Sequence, residues 1–480
     1  MRRALVILIL GTLMTGLDAT VTNVAMNTLS RGFHASVANT QWVISGYLLA
    51  VAAVIPVSGW AARRYTPRYV YMAGLGLFTL SSGLCASAHS LPMLVIFRVL
   101  QGAAAGLITP LNQLIAAEVA GPDRMARTVS TIWSITSISS ILGPTLGGVI
   151  ISGIGWRWIF LINVPLGLGA TIAAFWMLPP TPARPAGRLD VAGAVRLLLG
   201  MPLIVFALTE AEAHGGFDQP ASYVPLLAGA VLVADFVRHA LSVSNPLLDL
   251  GLYRRRLFAA GSASLFLFDV AWFGVLLLEP LYFQQVRHAG PALAGLLIGP
   301  QGIGSAVGNI LSGRIKNPRR ARMCGVIGAT VFTFTTASLA FAGAGASYGF
   351  LCPLLFIAGI GAGCCWVPAT AAGYVGLSAE EISHASPLVA VVMRLGASFG
   401  TTLAAIVLQA ELTHRGAVGQ PHLVSAFHST FAWAVLAAIV AAGAFVVLAR
   451  AKPPTPALRP GPAGGSDEPE FVSGSAAQSS

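Results

Sequence analysis

The sequence predicts an all-α integral membrane protein: two six-helix bundles plus two extra helices, fourteen transmembrane helices in all. Three observations lead there. Of the 480 residues, 55% are hydrophobic and only 9% charged, far from the usage of soluble domains. Stretch after stretch exceeds the roughly 18–20 mostly apolar residues that a helix needs to cross a hydrocarbon core about 30 Å thick. Only helices and closed barrels satisfy their backbone groups in that medium, and these runs are too long for barrel strands. Finally, the basic residues alternate from one set of loops to the next.

Spans are expected near 4–29, 42–62, 69–87, 92–117, 127–152, 158–178, 191–209, 221–240, 257–286, 292–312, 323–342, 348–373, 384–410 and 427–449. The opening MRRALVILIL has the basic start of a signal peptide, but the apolar run is too long and lacks a small-x-small exit, so it reads as an uncleaved first span. With the N-terminus inside, the outer loops hold Arg31, Arg157, Arg287 and Arg415. Arg98 and Arg394 lie within spans, and the other 22 of the 28 basic residues fall in cytoplasmic segments or the span ends beside them. That distribution is the one expected of an even number of spans with both termini cytoplasmic.

The net charge of +11 is thereby assigned to loops facing anionic inner-leaflet lipid, which removes nucleic acid as the expected partner. Cys85, Cys324, Cys352, Cys364 and Cys365 lie in or at the ends of apolar spans without metal-ligand spacing, so they read as small core residues. No metal or other cofactor is expected. The tail from Ala451, rich in Pro, Gly and polar residues, reads as disordered.

Two loops divide the chain. PPTPARPAGRLD (179–190) ends a first bundle, 1–180; the stretch around SNPLLDLGLYRRR (244–256) ends an inserted pair of spans, 181–250. The second bundle follows, 251–450, then the cytoplasmic tail, 451–480. SGWAARRYTPR (58–68) and SGRIKNPRR (312–320) occupy equivalent places, each a glycine and a basic loop after the second span of its group, as in transporters built by internal duplication. The inserted spans are expected at the periphery.

A charge near mid-membrane costs about 3 kcal/mol on insertion scales, so embedded ionisable residues are functional candidates. Asp18, in LDATVTNVA, lies roughly 21 Å above the inner face, and Arg98, in RVLQGAAAG, roughly 9 Å below the outer face, by 1.5 Å per residue. Those levels coincide, and Asp269, in LFLFDVAWF, falls near them. Glu279 lies nearer the outer end, within reach of interfacial water. Asp235 and Glu118 sit near inner ends and read as solvated. A carboxyl group that alternates between an apolar setting and an arginine takes up and releases protons; a fixed ion pair that ties helices together is the alternative for Asp18 and Arg98. Trp272, Phe273 and Trp366 suit an apolar or cationic substrate, or else ordinary core, and Arg394 is embedded beside the same cavity.

ILGPTLGGVI carries Gly143, Pro144, Gly147 and Gly148. Proline bends a helix, and glycines four apart let a neighbour approach, which makes either a gate or a packing seam. RVLQGAAAGLITP and ILGPTLGGVI together resemble the arginine and antiporter motifs of the major facilitator superfamily. LDATVTNVA, with GWRWIFLINVPLG (155–167), resembles its fourteen-span drug:proton antiporter branch, typified by QacA and EmrB. The resemblance runs over residues 1 to 450. It implies a major facilitator fold, a coupling role for Asp18, proton transfer linked to Arg98, and the antiporter bend at Gly143, Pro144, Gly147 and Gly148. Asp269 and Glu279 match no family motif and stand on physics alone.

One departure stands out. The family loop after the second span reads close to G-x-L-A-D-R-x-G-R-K/R, whereas this chain has GWAARRYTPR. Gly59, Arg64 and Arg68 are retained, Arg63 replaces the aspartate that latches the loop, and Thr66 replaces the second glycine. The gate is therefore expected to rest differently, or to use another carboxylate such as Asp123.

The expected function is proton-coupled export of a small hydrophobic or cationic molecule by alternating access in a bacterial cytoplasmic membrane. The partners are then substrate, protons and lipid, and oligomeric state is left open. A dedicated exporter of one metabolite, such as an antibiotic or siderophore, and a transporter-like sensor are the alternatives. H-E-x-x-H, a P-loop and G-x-S-x-G in a suitable setting are missing, which argues against an enzyme.

Overall fold

The computed structural model describes residues 2–120, 124–178, 187–342, 345–414 and 420–451. Asp123, residues 179–186, Arg415 and the tail from Lys452 lie outside the described residues, as does the side chain of Pro144. The described chain is helical, without a strand: α1 Arg2–Gly32, α2 Val37–Tyr65, α3 Pro67–Ala86, α4 Leu91–Ala120, α5 Met125–Gly153, α6 Trp158–Leu161, α7 Asn163–Met177, α8 Val191–His214, α9 Pro220–Ser242, α10 Arg256–Gln285, α11 Pro291–Gly313, α12 Pro318–Phe341, α13 Tyr348–Gly373, α14 Ala379–His414 and α15 Gln420–Arg450. The sixth predicted span is thus broken at Ile162, and α14 is longer than its apolar run suggested.

Among the described residues, 13 helical spans, with α6 and α7 counted as one, are long and apolar enough to cross a membrane. The remaining predicted span, α11, is a helix of 23 residues whose glycines, Gln301 and Asn309 dilute its apolar character.

Local chemistry sets the helix ends. Ser36 accepts a hydrogen bond from the Asn39 amide at 3.1 Å to start α2, and Asn317 accepts from Arg319 and Arg320 at 2.9 and 3.2 Å to start α12. Such caps satisfy amide donors that the first turn leaves open. Between α2 and α3, Thr66 sits at φ 72°, a region that favours glycine and costs a β-branched residue of order 1–3 kcal/mol. This is the position where the family loop carries its second glycine.

The packing repeats. In the first group α1 lies on α5 and α7, α2 on α4, and α3 on α4 and α7; in the last group α10 lies on α14 and α15, α11 on α13, and α12 on α13 and α15. Counting spans within each group, these are the same five pairings. Small residues make the closest ones: a Cβ at Gly102 would fall 2.3 Å from the Tyr47 carbonyl, and one at Gly359 would fall 1.9 Å from the Gln301 carbonyl. With little hydrophobic force between helices in lipid, such close backbone contact is a main source of association.

The inserted helices differ from each other. α9 packs chiefly on α8, whereas α8 itself reaches both α2 and α14. Phe206 stacks on Trp42 at 5.8 Å, and Thr402 donates to the Leu208 carbonyl at 3.0 Å. The expectation of a peripheral pair is therefore corrected for α8, which bridges one helix of each group. Its apolar residues Leu197, Met201 and Val205, which share one face, are buried.

Candidate functional site

The coincidence of depth between Asp18 and Arg98 proves to be a contact. Arg98 Nη1 donates to Asp18 Oδ2 at 2.5 Å and to Gln101 Oε1 at 2.7 Å, and its Nε donates to the Val43 carbonyl at 3.1 Å. Asp18 Oδ1 accepts from Gln101 Nε2 at 2.9 Å and from Asn163 Nδ2 at 3.1 Å. Gln101 Nε2 also donates to Ser82 Oγ at 2.6 Å. The Tyr47 ring lies 4.2 Å from the guanidinium carbon, a cation–π distance. Five helices, α1, α2, α3, α4 and α7, thus converge on one buried ion pair whose two carboxylate oxygens are both satisfied.

Gln101 is one turn from Arg98 and on its face, and Asn163 belongs to the quoted FLINVP motif, so both were legible in the sequence. Ser82 carried no such signal.

The second group of helices has a different chemistry. Asp269 Oδ1 accepts from the Trp366 indole N–H at 2.8 Å, and Glu279 Oε1 accepts from Gln301 Nε2 at 2.8 Å. In each case the other oxygen is buried and finds no partner among the described residues. Asp269 does not join Arg98, as the shared layer suggested, and Glu279 is 1% exposed, which corrects the expectation that it meets interfacial water. A buried carboxylate without a cation is costly; its protonated form is not. Each of these positions therefore offers one free oxygen at which a proton can be taken up, in contrast to the ion-paired Asp18.

The substrate candidates fall into two environments. Trp272 and Trp366 are buried, their rings 5.1 Å apart, within a cluster that includes Phe268 and Phe332. Phe273 is half-buried against the same core. Arg394 is half-buried, and its Nε has no partner among the described residues. It lies three turns beyond Ser383 on one face of α14, the face turned to α2.

The gate candidates separate as well. Gly143 and Gly147 bring α5 onto α1: a Cβ at Gly143 would fall 1.8 Å from Thr20 Oγ1 and one at Gly147 3.0 Å from Val21 Cγ1, whereas one at Gly148 would meet nothing within 4 Å. A Cβ at Gly59 would fall 2.4 Å from the Ser383 carbonyl, and Arg63 Nη1 donates to Ser383 Oγ at 3.2 Å. Arg64 is exposed over Tyr65, and Arg68 donates to the Phe175 carbonyl. Those two stay within the first group; Gly59 and Arg63 join it to the last.

Further joins lie near the same, arginine-rich end. Tyr374 OH donates to Gln113 Oε1 at 2.5 Å, Ser134 Oγ donates to the Ala306 carbonyl at 3.3 Å, and Asn309 Nδ2 donates to Ser137 Oγ at 3.3 Å. Trp133 stacks on Trp366 at 5.6 Å and 8°. A cavity of about 50 Å³ lies beside Arg63, lined also by Trp60, Arg188, Asp190, Glu380 and His384. No group of three or more potential metal ligands occurs among the described residues.

The family model described as Major Facilitator Superfamily matches residues 8–401. The chain is 34% identical over 409 residues to the multidrug resistance protein B homolog of Mycobacterium tuberculosis, covering 85% of this chain and 76% of that protein. It is 31% identical over 398 residues to the multidrug export protein EmrB of Haemophilus influenzae, covering 82% and 78% respectively. The crystal structure of the human organic anion transporter MFSD10 superposes with a TM-score of 0.61 at 16% identity, covering 91% of this chain and 99% of that one; at that identity the likeness speaks for the fold. The repeated pairing, the convergence on Arg98 and the family match agree: this chain belongs to the Major Facilitator Superfamily, as a secondary transporter and not an enzyme.

Proposed function

We propose that the chain is a proton-coupled exporter of small hydrophobic or cationic compounds in a bacterial cytoplasmic membrane. It has fourteen spans, with the arginine-rich end and both termini facing the cytoplasm. The recurrence of the five pairings supports two bundles, 1–180 and 251–450, that rock against each other around a central cavity, with 181–250 as the inserted pair. The contacts that join the bundles near the arginine-rich end support a state closed to the cytoplasm.

The observation that carries this reading is the asymmetry of the buried charges. Asp18 and Arg98 neutralise each other in one bundle, whereas Asp269 and Glu279 in the other each keep an oxygen without a partner. Protons entering from outside load the second pair of carboxyls, and their release to the cytoplasm completes the cycle. Arg394 and Phe273, both half-buried, are the substrate-facing candidates, whereas Trp272 and Trp366 are buried in the aromatic cluster.

Export tests this directly. In membrane vesicles with an imposed proton gradient, a panel of cationic and neutral dyes should be moved by the parent chain. Asp269→Asn and Glu279→Gln should retain membrane abundance and lose at least about 90% of gradient-driven export. Full export by both variants refutes their coupling role, and no movement of any dye by the parent chain refutes the exporter reading itself.

A further inference from the structure

The loop aspartate that latches the family's gate is replaced here by Arg63, and the structure offers another link between a proton site and the gate. Asp269 on α10 accepts the indole N–H of Trp366 on α13 at 2.8 Å. Asp269 thus meets the edge of that indole, and its face stacks on Trp133 of α5 at 5.6 Å and 8°, nearly parallel. Trp133 lies roughly 12 Å from the arginine-rich end of α5, and Trp366 roughly 10 Å from that end of α13, by 1.5 Å per residue. The two rings therefore meet across the seam between the bundles at the level of the closed gate. Asp269 Oδ2 has no partner among the described residues, so one hydrogen bond and one open position define the carboxyl's surroundings.

We infer that Trp366 is a positioning residue for transport: the ionised carboxylate of Asp269 holds its indole against Trp133 and so keeps the cytoplasmic gate shut, and a proton on Asp269 releases it. This rests on the proton-coupled reading above. Charge-assisted hydrogen bonds are roughly twice as strong as neutral ones, so protonation weakens the N–H···O contact without breaking any covalent bond. The proton goes to Oδ2, the oxygen that no donor occupies. The sequence of states suits an antiporter. A proton taken up from outside loosens the tryptophan stack, the cytoplasmic side opens, and loss of the proton there allows the stack to re-form.

The surroundings contain few competing charges. Facing Asp269, α13 presents Cys365, and α14 presents Arg394 in the turn before Gly396, where a Cβ would lie 3.1 Å from that of Asp269. α11 has no titratable residue, α12 carries Arg319, Arg320, Arg322 and Cys324 in its first two turns and none after them, and α15 has none between His428 and Arg450. On α10 itself Glu279 lies ten residues on. Arg394 makes no ion pair with Asp269, so Trp366 is the group that responds most directly.

Accessibility of the gate, measured without substrate, separates this from a failure of export. Ser134 is buried at the seam, and Ser134→Cys is labelled with an impermeant maleimide in inside-out vesicles. Rates are normalised to Ser242→Cys, at the exposed end of α9, to cancel the pH dependence of thiol reactivity, and native-cysteine background is subtracted. The normalised rate in the parent should rise about tenfold as pH falls. Trp366→Phe keeps a ring but removes the N–H; it should be fast at every pH, as should Asp269→Asn. Trp133→Phe keeps the stack and should retain the pH response, and Trp133→Ala should lose it. A parent-like pH response in Trp366→Phe at normal abundance overturns the inference. If that variant does not accumulate, a parent-like response in Asp269→Asn does so instead.

Discussion

Asp18 and Arg98 stand 80 residues apart in sequence and 2.5 Å apart in space, and each makes the other tolerable. Removing one partner of a buried, hydrogen-bonded pair costs about 3–5 kcal/mol, because the remaining charge stays buried. Asp18→Asn is therefore expected to lower membrane abundance by at least about half, and Asp18→Asn with Arg98→Gln to recover most of it, by quantitative immunoblot. Normal abundance of the single variant would show that the pair is not a structural requirement. Recovered abundance without recovered export would place the pair in the transport cycle as well. The depth of each residue was legible from the sequence, since helical rise is uniform. Gln101 and Asn163, which complete the network, lay in motifs already visible, but only the packed structure shows them aimed at one carboxylate.

Helices α1 and α5 show how finely an element interface is specified. Gly143 faces Thr20, and Gly148, five residues on, faces open space. Gly143→Ala forces a Cβ into Thr20 and is expected to cost about 1–3 kcal/mol by overpacking; Gly148→Ala is expected to be neutral. Thermal unfolding in detergent checks both, and equal effects would contradict the assigned contact face. The motif alone presented all its glycines as equivalent, because spacing does not reveal which side of a helix the neighbour occupies.

The start of α8 supplies a second element-scale test. Asp190 caps it by accepting from the Gly193 amide at 2.8 Å, and it also accepts from the Leu247 amide at 3.2 Å and contacts His239 at 2.8 Å. Partial burial works against the charged carboxylate, but these hydrogen bonds and the histidine outweigh it and hold Asp190 below its ordinary range. A depressed carboxylate stabilises the fold at pH above its unfolded value, about 3.9, and that contribution is lost as pH falls through the folded value. Asp190→Ala should thus lower stability by about 1 kcal/mol at neutral pH, with the difference from the parent shrinking in strong acid. A deficit that does not change with pH would deny the charge its role.

On the scale of the whole molecule, the proposed orientation is open to a simple test. Reporter fusions at Ser36, the start of α2, and after Arg450, the end of α15, should report opposite sides of the membrane; the same side for both would remove the fourteen-span arrangement. The closed seam at the arginine-rich end and the α8 bridge between α2 and α14 belong to this scale too. Neither was legible beforehand: contacts such as Arg63 to Ser383, 320 residues apart, leave no periodic trace. Among the gate residues, Arg63 turned out to span the bundles while Arg64 and Arg68 did not, although all three share one short loop.

By itself the sequence determined the membrane class, the helical spans to within a few residues, the gathering of arginines at one end of the helices and the position of each embedded charge along its helix. These are local quantities: insertion depends on hydropathy summed over about 20 residues, and position along a helix on a constant rise per residue. Tertiary structure decided which charges are neutralised and which are not. It paired Asp18 with Arg98, gave Asp269 only the Trp366 indole, and left Arg394 facing the seam with its Nε unpartnered. The physical reason is that bilayer lipid is as apolar as the helices it surrounds, so hydropathy sorts residues into the membrane but not against one another. Partners there are chosen by close contact between small residues and by a few directional hydrogen bonds, and both depend on helices far apart in the chain.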